Sequence, residues 1–202
     1  MSGYPIVLDG SSIEALVVGG GEVAARKVFA LLGAGARVHV VAPVLAAGLD
    51  AATDHARLRV SRERYSVEHL AGATLIFAAT SDAETNARVA ADAKRAGKLV
   101  NVADAPRDGH FVTPAVHRAG DVLIAVVAGG VPRAASRIRD LIAELIDGRY
   151  GRAVDVLGNL RRDLLDRGDR AAWRNASSQL IGENFRADVE SGCIATKVDA
   201  WR

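Results

Sequence analysis

Apolar residues in this chain fall into two kinds of pattern, and their alternation sets the expected architecture. Short continuous runs occur at Ala15-Leu16-Val17-Val18, Thr74 to Ala79 and Val122 to Val127, and Leu99-Val100-Asn101-Val102 is a further short strand. Each is too short for a helix and suits a strand buried on both faces. Arg37 to Val41 is a further strand, stopped by Pro43, and Leu58 and Val60 alternate with arginines as a half-buried edge strand would. Between the runs lie helical spacings, Val23, Ala24, Val28, Leu31 and Leu32 in one segment and Val89, Ala90 and Ala93 in another. Strands alternating with helices through residue 102 predict a parallel sheet wound with right-handed crossovers.

Punctuation supports these limits. Asp9-Gly10-Ser11 is a turn signal, and Gly33 and Gly35 are placed to close the first helix. Val44 to Asp54 reads as a short helix and loop. Thr80-Ser81-Asp82, with Glu84 following, caps a helix that runs to about Arg95 and closes at Gly97. Tyr4 to Leu8 reads as an added strand or an arm along the sheet edge. Beyond Phe111 one strand precedes a helix from Val131 to Ile146, whose apolar stripe is Ala134, Ile138, Leu141, Ile142 and Leu145. A strand and a helix are too little for a domain, so this part is expected to complete itself against a second copy, as a dimerisation segment. From Tyr150 the chain reads as helical and polar, with Val154, Leu157, Leu160, Leu164 and Leu165 on an amphipathic face.

The first core strand runs straight into Gly19-Gly20-Gly21 and then a helix. Gly19-x-Gly21-x-x-Ala24 has the form of a dinucleotide fingerprint: tight turn, close backbone approach of a pyrophosphate, and a small residue for helix–strand packing. The free N–H groups and positive dipole end of that helix suit phosphate. A glycine turn without ligand has the same pattern. At the end of the second strand, where an acidic residue would take the ribose hydroxyls, stands Val41-Ala42-Pro43. Backbone around Pro43 and Val44 would have to serve the adenosine end.

Asp104 leaves the carboxyl end of a sheet strand, where open α/β sheets bind ligands. Partial desolvation by Val102 and Phe111 would suit it as general acid or base, and capping the turn before Pro106 is the alternative role. Asn101 could orient that turn or bind the nicotinamide amide. Thr80 and Ser81 could touch cofactor or simply cap. His110 and His117 are isolated histidines. Gly129-Gly130 could open a second anion-binding helix, with Arg133, Arg137 and Arg139 offering a face suited to carboxylates or merely to solvent. Arg161, Arg162, Arg167, Arg170 and Arg174 stand under the same two alternatives.

Composition narrows the classes. At 202 residues, half of them hydrophobic, the chain can bury a real core, and a formal charge of +2 gives no argument for nucleic acid. One cysteine, Cys193, excludes an internal disulfide, and no Cys or His cluster has the spacing of a resident metal site. No basic leader or spanning apolar run of about 18 residues occurs, so a soluble cytoplasmic protein is expected.

Three segments, VVGGGEVAARK, VNVADAPRDGHF and LIAVVAGGVPRAASRIRDLIAELI, resemble the precorrin-2 dehydrogenase group with its sirohydrochlorin ferrochelatase relatives, the N-terminal module of siroheme synthase. The resemblance runs in order from about Tyr4 to Ile146 and loosely through the tail. It implies an α/β fold: a Rossmann-type parallel sheet binding NAD over residues 1–112, a dimerisation region over 113–147 and a small helical domain over 148–202, assembled as a homodimer. It implies NAD-dependent oxidation of precorrin-2 to sirohydrochlorin in siroheme or cobalamin biosynthesis. NAD is expected on Gly19, Gly21, Glu22, Val23, Pro43, Val44, Thr80 and Asn101, with Asp104 catalytic. His110, Gly129, Gly130, Arg133 and Arg137 are expected on the substrate, whose eight carboxylates give the arginines a purpose. Ferrous or cobaltous ion would enter as a substrate in a bifunctional member. A non-catalytic tetrapyrrole or NAD sensor is the alternative of another class. Departures from the family pattern fall at Ala128, at Val131-Pro132-Arg133 and at His110, so a regulatory serine is absent. With no methyltransferase segment, the chain is not expected to make precorrin-2 itself.

Overall fold

A computed structural model describes residues 3–201 of the chain. The chain divides into two compact units, residues up to Thr113 and residues from Pro114.

The first unit is a parallel sheet in the order β3-β2-β1-β4-β5. Its strands are β1 (Glu14–Val18), β2 (Arg37–Val41), β3 (Leu58–Ser61), β4 (Leu75–Ala78) and β5 (Leu99–Val102). Helix α1 (Glu22–Gly33) links β1 to β2, the short α2 (Ala47–Asp50) precedes β3, and α3 (Ala83–Arg95) links β4 to β5. Alternate residues of the central strands serve opposite faces, as the pleat requires. Ala15 and Val17 pack with Ala24, Ala25, Val28 and Leu31 of α1. Leu16 and Val18 pack with Val89, Ala90 and Ala93 of α3. The continuous apolar runs are thus explained by a sheet covered on both sides. Helix α1 ends in a Schellman arrangement, Ala36 N–H to Leu31 carbonyl at 3.0 Å and Gly35 N–H to Leu32 carbonyl at 2.9 Å, with Gly35 at φ +88°.

One expectation changes here. Tyr4 to Leu8 is neither strand nor covering arm: it has no ladder, and its apolar side chains are exposed, Tyr4 at 89 %. Apolar content alone does not make a strand, and the sheet's edges are β3 and β5. Tyr65, which no periodicity singled out, is buried and donates from its hydroxyl to Asp92 at 3.2 Å.

The second unit opens with an antiparallel hairpin, β6 (Ala115–Ala119) and β7 (Val122–Val126), turned at Gly120. The partner strand of Val122–Val126 therefore comes from the same chain. Ala115-Val116-His117-Arg118-Ala119 carried too little apolar signal to be legible, and His117 is fixed by a 2.6 Å contact with the Ile146 carbonyl. Helix α4 (Pro132–Leu145) buries Ala135, while Ile138, Leu141 and Leu145 of the expected stripe are exposed in the single chain. Helix α5 (Gly148–Asp166) then meets the hairpin turn so closely that a Cβ on Gly151 would stand 2.4 Å from the Ala119 carbonyl oxygen. The tail is a cluster of α5 with α6 (Arg170–Leu180), α7 (Phe185–Ser191) and α8 (Ile194–Asp199). Its core joins Leu157, Leu160, Leu164, Leu180, Val189 and Val198. Asp147 and Asp169 cap α5 and α6 with their carboxylates.

Both tryptophans, Trp173 and Trp201, pack on that helical core, so their fluorescence reports the second unit. Leu160→Ala, at a fully buried position, should lower the fluorescence-detected urea midpoint by an amount equal to about 2–5 kcal/mol.

Candidate functional site

The parallel register brings the strand exits to one level. Val18 pairs with Val41 and Ala78, and Ala78 with Val102. The ladder runs one residue further, Gly19 N–H to Val41 carbonyl at 3.0 Å, Ala79 to Val18 at 2.8 Å and Ala103 to Ala78 at 3.0 Å. Gly20, Thr80 and Asp104 consequently leave the sheet side by side. Connections from β1 and β4 pass to opposite faces, which opens a crevice at this topological switch point. The crevice encloses about 1050 Å³ and is lined by Gly19, Gly20, Gly21, Glu22, Val23, Pro43, Val44, Thr80 and Asp104, among others. That volume accommodates a large cofactor.

The glycines have different duties. Gly19 sits at φ +125°, and a Cβ there would lie 2.3 Å from the Ala79 carbonyl oxygen. A Cβ on Gly20 would lie 2.0 Å from the Val44 carbonyl oxygen, because the loop after β2 folds against it, Ala46 N–H to Gly20 carbonyl at 2.7 Å. Both are demanded by the fold. Gly21 is different: it has ordinary dihedrals for any residue, and a Cβ would meet nothing within 4 Å. Its missing side chain keeps open a cradle at the start of α1. Gly21 is the N-cap, with no side chain bonding the first-turn N–H groups, whereas Asp82 caps α3. Free N–H groups, the helix dipole and an open cradle fit a pyrophosphate. Glu22 is the one acidic residue in that first turn.

Across the crevice, Asp82 accepts from the Thr85 hydroxyl and then from the N–H groups of Thr85 and Glu84, which together hold its carboxyl below the usual range. Thr80 accepts from Asp82 N–H through its hydroxyl at 3.1 Å. The crevice's remaining wall includes Glu63, Arg64, Tyr65 and Arg88. Burial, then the Asp92 carboxylate beside it, push the Tyr65 phenol upward, and Arg88 lies over its ring at 5.6 Å.

Asp104 lines the crevice but is exposed, so Val102 and Phe111 do not desolvate it. Phe111 instead turns to the α1 face, edge-on to Phe77 at 5.4 Å. The partner of Asp104 is Asn86 on α3, whose Nδ2 donates to Oδ1 at 3.1 Å. Asn86 is a residue that sequence reasoning missed, since one asparagine in a helix signals nothing until the fold buries it.

Asn101 stands outside the crevice lining. It is buried, receives Lys27 Nζ at 2.9 Å and donates to the Phe111 carbonyl at 2.9 Å, the turn-supporting role. Lys27 also lies over the Phe77 ring, and burial, reinforced by Arg26, lowers its ammonium pKa. His110 is likewise outside the lining: its ring Nδ1 accepts from Val100 N–H at 3.3 Å. Gly129, Gly130, Arg133 and Arg137 belong to the second unit, with both glycines at positive φ. Arg133 and Arg137 are exposed and have no acidic partner among the described residues, whereas Arg139 pairs with Asp140.

Gly21→Val tests the separation of duties. It should leave thermal stability within about 1 kcal/mol of the parent and weaken NAD binding at least about tenfold by filling the cradle. Gly19→Val, in contrast, should destabilise the fold itself, as circular dichroism melting would read.

Comparison with known proteins agrees with this geometry. Residues 6–115 match the family model for NAD(P)-binding domains. The chain is 43 % identical over 153 residues to the siroheme synthase of Chromobacterium violaceum, covering 75 % of this chain and 33 % of that protein. It is 36 % identical over 196 residues to the siroheme synthase of Methylobacillus flagellatus, covering 94 % of this chain and 42 % of that one. The chain therefore spans a third to about two-fifths of these relatives. Among solved structures it superposes on SirC, precorrin-2 dehydrogenase, with a TM-score of 0.79 and 27 % identity over 98 % of this chain and 99 % of that one. With an NAD(P)-binding match over more than half its length and these relatives along the rest, the chain belongs to the NAD(P)-binding family that includes SirC and the matching portion of the siroheme synthases.

Proposed function

We propose that this chain oxidises precorrin-2 to sirohydrochlorin with NAD, within siroheme or cobalamin biosynthesis. The observation that carries the proposal is the shared level of the glycine cradle and Asp104 at the carboxyl end of the sheet, in a chain that superposes nearly end to end on a precorrin-2 dehydrogenase. Bound NAD would supply the hydride acceptor. Gly19, Gly21, Glu22 and Val23 would hold its pyrophosphate by backbone groups, Pro43 and Val44 would receive the adenosine end, and Thr80 would border the nicotinamide. Asn101 contributes from behind, by fixing the turn that presents Asp104. Asp104 would accept the proton that leaves the macrocycle as the hydride departs, which balances loss of two electrons and two hydrogens from the substrate.

Substrate recognition is assigned to His110, Gly129, Gly130, Arg133 and Arg137. The unpaired state of Arg133 and Arg137 supports this, because guanidinium groups bind carboxylates through paired hydrogen bonds and precorrin-2 carries eight of them. We assign the chain to a cytoplasmic homodimer; no helix of the described residues is long and apolar enough to cross a membrane. Exposed Ile138, Leu141 and Leu145 on α4 and the open edges of the β6–β7 hairpin support the dimer. Insertion of ferrous or cobaltous ion into the product would call on the same Asp104 carboxylate. A rate above the non-enzymatic background separates a bifunctional enzyme from a dehydrogenase alone.

NADH formation on mixing the protein with NAD and precorrin-2 is the direct test, and folded protein without turnover refutes the proposal. Asp104→Asn should keep NAD affinity and slow oxidation about 10²-fold or more. Arg133→Ala with Arg137→Ala should raise KM for precorrin-2 about tenfold or more while KM for NAD stays near that of the parent.

A further inference from the structure

We infer that Asn86 is a positioning residue, holding the Asp104 carboxylate in the orientation of a proton acceptor and tying it to the neighbouring Thr80 turn. The inference rests on the dehydrogenase function proposed above. Asn86 lies in the first turn of α3 and is 1 % exposed. A buried amide in a sheet–helix interface is costly unless every polar atom is matched. Here every hydrogen-bonding position has a partner in reach, the Thr80 hydroxyl hydrogen being shared between Asn86 Oδ1 and the Asp82 carbonyl. Oδ1 accepts from the Thr80 N–H at 3.1 Å and from the Thr80 hydroxyl at 2.8 Å. Nδ2 donates to the Thr80 carbonyl at 3.1 Å and to Asp104 Oδ1 at 3.1 Å.

Thr80 fixes which way the amide points. Its main chain presents one donor and one acceptor to Asn86, so a flipped amide would set donor against donor and acceptor against acceptor. Asp104 is therefore offered a donor only, which matches the ionised carboxylate. Helix capping does not explain Asn86, because Asp82 already caps α3. Oδ1 of Asp104 is engaged and Oδ2 has no partner among the described residues, so Oδ2 is the atom left to take the proton. The other ionisable groups on the crevice are Glu22, Glu63, Arg64, Tyr65, Asp82, Glu84 and Arg88. Asp82 is committed to Thr85, Glu63 to His69 and Arg88 to the Tyr65 carbonyl. Among the described residues, Asn86 alone hydrogen-bonds the Asp104 carboxylate.

Asn86→Asp keeps the size of the side chain and sets a second carboxylate against Asp104. Two readouts apply, a ¹³C NMR titration of the Asp104 carboxyl and of the carboxyl introduced at position 86, which needs no turnover, and the pH profile of kcat at saturating NAD. In Asn86→Asp, the carboxyl pair at positions 86 and 104 should show a midpoint about one pH unit or more above that of the parent Asp104, and the acid limb of kcat should move with it, since neighbouring carboxylates resist ionising together. Asn86→Ala should lower kcat about tenfold or more with KM for NAD nearly unchanged; if it loses its fold by circular dichroism, Asn86→Asp decides alone. Midpoints at both positions 86 and 104 no higher than that of the parent Asp104 overturn the contact whatever the turnover. A moved midpoint with an unmoved acid limb overturns the positioning of a catalytic base. Absence of oxidation by the parent protein would instead remove the dehydrogenase function, and the NMR midpoint would then still decide the contact.

Discussion

The close approach of the β1 exit to the β4 exit governs the first unit. Gly19 meets the Ala79 carbonyl at a distance no side chain tolerates, and this contact closes the sheet's central pair just where its two connections part. From that point α1 goes to one face and α3 to the other. A crevice at the strand ends is the geometric result, and everything assigned a chemical part in the first unit stands on or behind its rim. A bulkier residue at 19 would not merely obstruct a ligand; it would push apart the strands that define the site.

Around that contact, the two sides of the crevice are built by opposite means. On the β1 side the chain withholds side chains: no cap at Gly21, no acid at Ala42, and backbone N–H groups left free at the start of α1. On the β4–β5 side it supplies them densely, with Asp82, Thr80, Asn86 and Asp104 joined in consecutive hydrogen bonds. A phosphate-bearing ligand needs bare backbone and dipole, whereas a proton acceptor needs a fixed direction. Behind the rim, Lys27, Asn101 and Phe111 brace the turn from β5 against α1. The second unit follows a different economy, with a well-filled helical core at its end and a helix, α4, whose apolar stripe the single chain leaves largely uncovered.

Legibility in the sequence tracked the range of the interaction. Strands β1 and β4 were visible because burial on both faces demands unbroken apolar runs, β2 and β5 because their apolar residues are interrupted only by single polar ones, and the glycine turn because steric limits at Gly19 and Gly20 admit little else. The hairpin strand Ala115–Ala119 was hidden, since a half-covered strand of small and polar residues has no distinctive period. Tyr4 to Leu8 misled for the opposite reason: apolar content was present, but pairing depends on a free neighbouring edge. Asp104 was found through its place at a strand end, yet its supposed shielding by Phe111 failed because that ring packs on Phe77.

The sequence by itself determined the order of strands and helices in the first unit, the glycine cradle and the family to which the motifs belong, because these follow from local sterics and the period of burial. Tertiary structure alone decided which polar groups meet. Asn86 lies 18 residues from Asp104 and Lys27 lies 74 from Asn101, and only the register of the folded sheet brings such pairs within hydrogen-bond distance. It also separated the roles of three adjacent glycines, two required by neighbouring backbone and one left open to solvent. Spacing along a chain cannot carry that distinction, since it depends on what the rest of the fold places opposite each missing side chain.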